Sequence, residues 1–220
     1  MRIARALSLC SVLVALSPGA LAVSFGFQNI TNNNAADAAT GEAQLLLDVT
    51  DAGGGQVSFL FTNLGPLASS ITDVYFDDGT LLGIASIVNG AGVSFSQGAS
   101  PPDLPGGNSI SPAFQTSAGF SADSDPPTQP NGVNPGEQLE ILFDLVGGST
   151  FADTIAALEA GGGTGGLRVG IHVQGFAGGG SEAFVNAPPI PEPSSALLAG
   201  FALAVFGGAL RRRSADQPMK

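Results

Sequence analysis

The sequence predicts an all-β fold: a jelly-roll-like β-sandwich of about eight strands with one short helix, spanning residues 23–187. Three observations predict it. Short apolar runs alternate with clusters of Gly, Pro and Asn, the punctuation of turns between strands. Val57-Phe59-Phe61, Leu139-Ile141-Phe143 and Leu167-Val169-Ile171 place apolar residues at every second position, the period of a strand with one buried face. Strong helix formers are scarce, and no internal repeat is present. A stretch of this length can bury a real core as one domain.

In chain order, Val23, Phe25 and Phe27 alternate as a first strand, and Asn32 to Ala39 reads as a polar loop. Glu42 to Asp51 is a second strand, and Gly53-Gly54-Gly55 turns into the Val57–Phe61 strand. Ile71 to Phe76 follows, closed by a turn at Asp77-Asp78-Gly79, then Leu81 to Val88 and Val93 to Ser96. Ser100 to Pro112 carries too much Pro and Gly for a central strand. Phe114 to Ala122 resumes strand before a second proline-rich loop from Asp123 to Gly136. Leu139 to Leu145 alternates most cleanly. Phe151 to Ala160 is the one helix of the domain, opened by Thr150 and Asp153 as a capping box and closed by Gly161. Leu167 to Val173 is a last long strand with Arg168 and His172 on its outward face; Phe184-Val185 adds a short one.

Both ends read differently. Arg2 and Arg5 precede an apolar run from Ala6 to Leu16, Pro18-Gly19 breaks it, and Ala20 and Ala22 supply the small residues of a cleavage site. Residues 1–22 are therefore a secretory signal peptide, removed by signal peptidase after Ala22. Cys10 loosely fits a lipobox, but bulky Leu9 and the continuing apolar run oppose that reading. Cys10 leaves with the signal peptide, so the mature chain has no disulfide, thiol nucleophile or cysteine metal site. At the other end, residues 188–195 form a proline-rich tether and 196–210 an uncharged apolar helix. With Ser194 and Ser195 the helix has about 17 residues, the lower limit for spanning a bilayer core. Arg211, Arg212 and Arg213 act as its stop signal, which keeps 211–220 in the cytoplasm and everything upstream outside.

Pro191-Glu192-Pro193-Ser194-Ser195, a short apolar helix and an arginine cluster together resemble the PEP-CTERM sorting signal of bacterial envelope and matrix proteins. The resemblance implies processing by exosortase, a membrane-embedded cysteine transpeptidase, during a transient stay in the inner membrane. Ser214 to Lys220 is a longer trailer than that signal usually has. More loosely, Tyr75-Phe76-Asp77-Asp78-Gly79, Phe120 to Asp125, Gly136-Glu137 and Gly170 to Phe176 resemble a recurring exosortase-dependent surface protein, which implies a secreted domain and no catalytic residues.

Charge narrows the partners. Of the 7 basic residues only Arg168 lies between Val23 and Ile190, where nearly all of the 18 acidic residues sit. Nucleic acid is excluded, since phosphate neutralisation needs Lys and Arg. With so few cations, the carboxylates are expected at the surface, solvated and mutually repelling.

His172 is the only histidine and lacks a Gly-x-Ser-x-Gly elbow or a second histidine for zinc, so it reads as structural or surface. The acid pairs Asp77-Asp78 and Asp123-x-Asp125 could serve a glycosidase only if opposed across a cleft, and the domain has no Trp and one Tyr. Asp123, Asp125, Asn131, Asn134 and Glu137 form a possible calcium set in one proline-fixed loop, although Pro127 and Thr128 break the EF-hand pattern. Turn chemistry explains the same residues. The glycine runs are turns, because no P-loop lysine follows them. The expectation is a non-catalytic envelope or matrix protein without a cofactor. The alternatives are a polysaccharide- or calcium-binding module, with exopolysaccharide as partner, and an extracellular hydrolase.

Overall fold

The computed structural model describes residues 22–78, 81–116 and 120–191. Ten strands form one antiparallel sheet: β1 (Ala22–Asn29), β2 (Leu45–Gly53), β3 (Gln56–Asn63), β4 (Ser70–Asp78), β5 (Leu82–Asn89), β6 (Phe95–Gln97), β7 (Ser121–Ser124), β8 (Gln138–Leu145), β9 (Leu167–Gln174) and β10 (Ser181–Pro189). Their order is β5-β8-β3-β2-β1-β10-β9-β4-β7-β6. The mostly-β expectation holds, but the strands make one continuous ladder instead of two separate sheets.

That ladder is curled so that its halves face each other. Phe76 on β4 packs edge-on against Phe59 on β3 at 5.3 Å and against Phe143 on β8 at 4.6 Å, although many strands separate them along the sheet. Apolar residues at alternate positions fill the space between: Phe25 and Phe27, Leu47 and Val49, Ile141 and Phe143, Val169 and Ile171 are all buried there. The two edge strands are clasped by Asn89 of β5, whose amide group donates to the Phe95 carbonyl at 3.3 Å and accepts from the Phe95 N–H at 2.9 Å.

Among the described residues are three α-helices, α1 (Ala35–Gln44), α2 (Thr128–Asn131) and α3 (Phe151–Ala160). α3 has the predicted bounds and the predicted Thr150–Asp153 capping box. α1 replaces the expected loop and the start of the second strand. Asn34 caps it by accepting from the Ala36 and Asp37 amides, and five alanines extend it. Asn34-Ala35-Ala36-Asp37 was the available signal. Gly41 lets α1 lie against the Phe184 ring, where any side chain would clash. Phe114 does not start a strand; β7 is only Ser121–Ser124. Asp77 lies within β4, not in a turn, and Ser124 and Asp123 belong to β7. The short Phe184-Val185 strand is the nine-residue β10, which runs to Pro189 and absorbs the first residues of the expected tether.

No helix among the described residues is long and apolar enough to cross a membrane. Ala20, Glu192, Pro193, the apolar run 196–210 and Arg211, Arg212 and Arg213 lie outside the described residues.

Phe143 touches three other rings at the meeting of the two halves. Phe143→Ala is expected to cost about 3–5 kcal/mol, the usual range for deleting a buried ring. Denaturant unfolding measures it, and a loss under about 1 kcal/mol would show a core that does not depend on this contact.

Candidate functional site

The outer face of β10-β9-β4-β7 is not open to solvent. The segment 98–116 crosses it as a strap, tied at its start by Gly98 and Ala99 amides to the Ser121 carbonyl and hydroxyl at 2.8 and 3.1 Å. Leu104 and Phe114 of the strap pack on Tyr75, Ala183 and Val185 as a small second core. Gly170 makes this possible: a Cβ there would meet Leu104 at 2.6 Å and Phe114 at 3.1 Å. Tyr75 donates its hydroxyl proton to the Pro101 carbonyl at 2.9 Å. Burial pushes its pKa well up, and the neighbouring Asp73, Asp123 and Asp103 charges push the same way.

Polar residues lie at both ends of this face. Arg168 and His172 are on the outward side of β9 as expected, yet both are buried. They are also apart, each with its own acid on β4. Arg168 donates from Nε to Asp77 Oδ2 at 2.9 Å and from Nη2 to the same oxygen. Two further donors, one on Nη1 and one on Nη2, reach the Pro112 and Ala113 carbonyls, both at 2.9 Å, and its guanidinium lies 5.2 Å from the Phe114 ring centre. The single cation of the domain thus anchors the strap to the sheet. Beside it, a groove of about 480 Å³ is lined by residues including Gln28, Asn32, Ile110, Pro112 and Asn186, with no aromatic ring among its lining residues.

At the other end, the β4–β9 register shifts between Ile71 and Asp73. This β-bulge turns Asp73 onto the outer face while Ile71 and Val74 stay in the core. Asp73 is 1 % exposed. Its Oδ2 accepts from Thr72 Oγ1 at 2.9 Å and meets His172 Nδ1 at 2.9 Å. That pairing makes Nδ1–H the donor to the carboxylate. Asp73 Oδ1 is buried with no donor, and Asp123 stands directly opposite on β7. Burial pushes the Asp123 pKa up to about 6, helped by the charge and hydrogen bond of Asp73 and by the Asp125 charge; the Ser124 amide works weakly against it. A proton on Asp123 would supply the donor that Asp73 Oδ1 lacks.

The His172–Asp73 pair has the form of a base and its orienting acid. A nucleophile on the far nitrogen would complete a catalytic triad, but His172 Nε2 has no hydrogen-bond partner among the described residues. Asp73 and Thr72 were not singled out by sequence; the three-residue spacing from Ile71 to Val74, in a strand of period two, was the signal. Glu182 was also missed. It is buried beside the start of α1 and accepts from Asn29 Nδ2, Thr31 Oγ1 and the Asn33 and Asn34 amides. Burial works to raise its pKa, but these donors prevail and the net shift is downward. The expectation of solvated surface carboxylates therefore fails at Asp73 and Glu182: hydroxyl and amide donors compensate Glu182, and Thr72 and His172 compensate Asp73.

The calcium set does not converge. Asp125 accepts from Ser94 and Ser96 hydroxyls at 2.7 and 2.8 Å, which hold its pKa down. Glu137 turns to the Asn134 amide and side chain at 2.9 and 3.0 Å, and Asn131 donates to the Asp125 carbonyl at 2.9 Å. Asp123 faces Asp73 instead. No group of three or more His, Cys, Asp or Glu arranged for a metal occurs among the described residues.

Residues 189–213 match the model of the PEP-CTERM protein-sorting motif, which supports an exosortase-substrate sorting signal there. No curated protein and no solved structure matches the chain.

The Asp123 shift has a testable sign. Its folded-state pKa stands above the unfolded value of 3.8, so its protonated form stabilises the fold. That contribution is complete below about pH 4 and is lost as the pH rises through about 6. Glu182, Asp125 and Asp153 act in the opposite sense, losing stabilisation as the pH falls through their lowered values. Asp123→Asn, which keeps a donor for Asp73, should be more stable than wild type at pH 7.5 and lose that advantage near pH 4.5. Melting both proteins across this range checks it; a constant difference would contradict the assignment.

Proposed function

We propose that the chain is an exported protein which exosortase processes at Pro191-Glu192-Pro193 and delivers to the cell surface or extracellular matrix, where its β domain serves as a stable, non-catalytic module. The observation that carries this reading is the sorting motif at residues 189–213. The arginines after the apolar run fit the topology such processing requires, with the β domain outside and 211–220 inside. The signal-peptide pattern ending at Ala20 and Ala22 fits export.

The polar groups of the β domain support a structural role. Four of the five N–H donors of Arg168 are committed to the strap or to Asp77. His172 is 9 % exposed and held by an acid whose other neighbour is a second acid. Catalysis draws on convergent groups in an accessible cleft, and these groups are instead buried and apart. Of the carboxylates of the calcium alternative, Asp125 and Glu137 find their donors locally and Asp123 faces Asp73.

Fractionation of the native host, with mass spectrometry of the mature termini, tests the reading. The expected product begins at Val23, lacks Lys220 and is found in surface or matrix material. Replacing Arg211, Arg212 and Arg213 by Ser should reduce the cytoplasmic hold of the tail, and Glu192→Gln should block maturation. A full-length chain ending at Lys220 as the only stable form would contradict the proposal. For the domain itself, calcium and magnesium at matched ionic strength should raise the melting temperature equally, by screening. A saturable response to calcium alone, abolished by Asp125→Asn, would restore the calcium reading.

A further inference from the structure

The end of β10 is built differently from its middle. From Ser181 to Val185 the strand is paired on β9, and from Phe184 to Asn186 also on β1. Asn186 is the last firm anchor, its Oδ1 accepting from the Val169 amide at 2.8 Å. Pairing with β9 has already ended at Val185↔Gly170. The register against β1 then slips: Phe27 pairs Asn186 and Phe25 pairs Pro189, so two steps on β1 answer three on β10. Residues 187–190 therefore have one neighbouring strand and begin at a bulge. Pro188 and Pro189 have no N–H to give. The final bond is the Ile190 amide to the Ser24 carbonyl at 2.7 Å. Ile190 is 44 % exposed, and Pro191 beside it is exposed as well.

Pro191 is also the first residue of the Pro191-Glu192-Pro193 motif. No free residue separates the last ladder bond from the segment to be processed. An enzyme that cuts a peptide bond takes the chain extended, with several residues lying in its cleft on each side. A motif that starts one residue after the last ladder bond leaves no slack for such a cleft on its N-terminal side while that bond is made.

We propose that residues 187–190 are a peelable latch that controls exosortase's access to the sorting motif: closed on β1 they hold Pro191 against the domain, and opened they supply the extended chain the enzyme needs. This rests on the exosortase reading above. The construction suits the task. Two prolines without a donor, a bulge and the exposed Pro188 and Ile190 make this the kind of segment that opens locally without global unfolding. Peeling four residues frees roughly 13 Å of chain at about 3.3 Å each. The Asn186–Val169 bond and the two-sided pairing behind it stop the opening there. The latch also depends on the other end of the domain, because its acceptor, Ser24, lies two residues after Ala22. It closes only when β1 is seated, where the Ser24 hydroxyl binds Asp48.

The test follows maturation of the full chain by pulse-chase in an exosortase-bearing host. One variant inserts six Gly/Ser residues between Ile190 and Pro191, leaving both latch and motif intact. A second, Ile190→Pro, removes the last donor without lengthening the chain. Glu192→Gln reports on the motif itself. The latch predicts that the insertion and Ile190→Pro each speed conversion several-fold, while Glu192→Gln abolishes it. If Glu192→Gln blocks conversion but the insertion leaves the rate unchanged, the latch is wrong and the exosortase reading stands. If the insertion accelerates conversion and Ile190→Pro does not, distance from the membrane sets the rate and the latch is again overturned. If Glu192→Gln matures at the wild-type rate, the exosortase reading fails and the latch with it.

Discussion

The pairing of β1 with β10 is the constraint on which the rest of this structure depends. Every strand from β5 to β2 in the sheet order lies on one side of that ladder, and every strand from β9 to β6 on the other. It is the one strand pairing that joins the two halves whose inner faces make the core. It also brings together segments more than 150 residues apart: Asn29 of the first strand meets Phe184 of the last. Such a contact closes late, because a long loop must be ordered before the pairing repays it. The geometry has a further effect. Antiparallel neighbours that begin and end the domain send both chain ends out at the same end of the sheet.

The strap is the second organising feature. It converts what would be a solvated outer face into a thin second core, and it does so with one cation. Arg168 is spent on Asp77 and two strap carbonyls, so the strongly acidic domain manages its remaining buried carboxylates by other means. Glu182 is satisfied by backbone and amide donors, as an anion at a helix start can be. Asp73 is half satisfied, by His172 and Thr72, and leaves one oxygen for a proton shared with Asp123.

What the sequence made legible follows from period and punctuation. The strands β3, β8 and β9 stood out because apolar residues recur at every second position, and the helix α3 because of a cap whose side chain bonds its own backbone. The sorting motif was legible as a linear pattern. The elements that depend on distant partners were not. α1 is small and polar, and its value lies in Gly41 meeting Phe184 across the fold. β10 looked short because Glu182 interrupts its alternation and prolines end it, yet as a central strand it is held from both sides. The single-ladder topology was hidden for the same reason, since alternation tells which face is buried and not which strand is next. The site was legible in composition alone. His172 and Arg168 drew attention as the only residues of their kind in the domain, but Asp73 is made special by a bulge.

The central claim is that a two-sided β1–β10–β9 ladder holds the domain together and that its grip ends at Asn186. Amide hydrogen exchange, resolved along β10, tests it most directly. Amides 182–186 should exchange only through global unfolding, among the slowest in the protein, while the Ile190 amide should exchange orders of magnitude faster through local opening. Protection at Ile190 equal to that at 182–186, or exchange across 182–186 as fast as in the edge strands β5 and β6, would contradict this account.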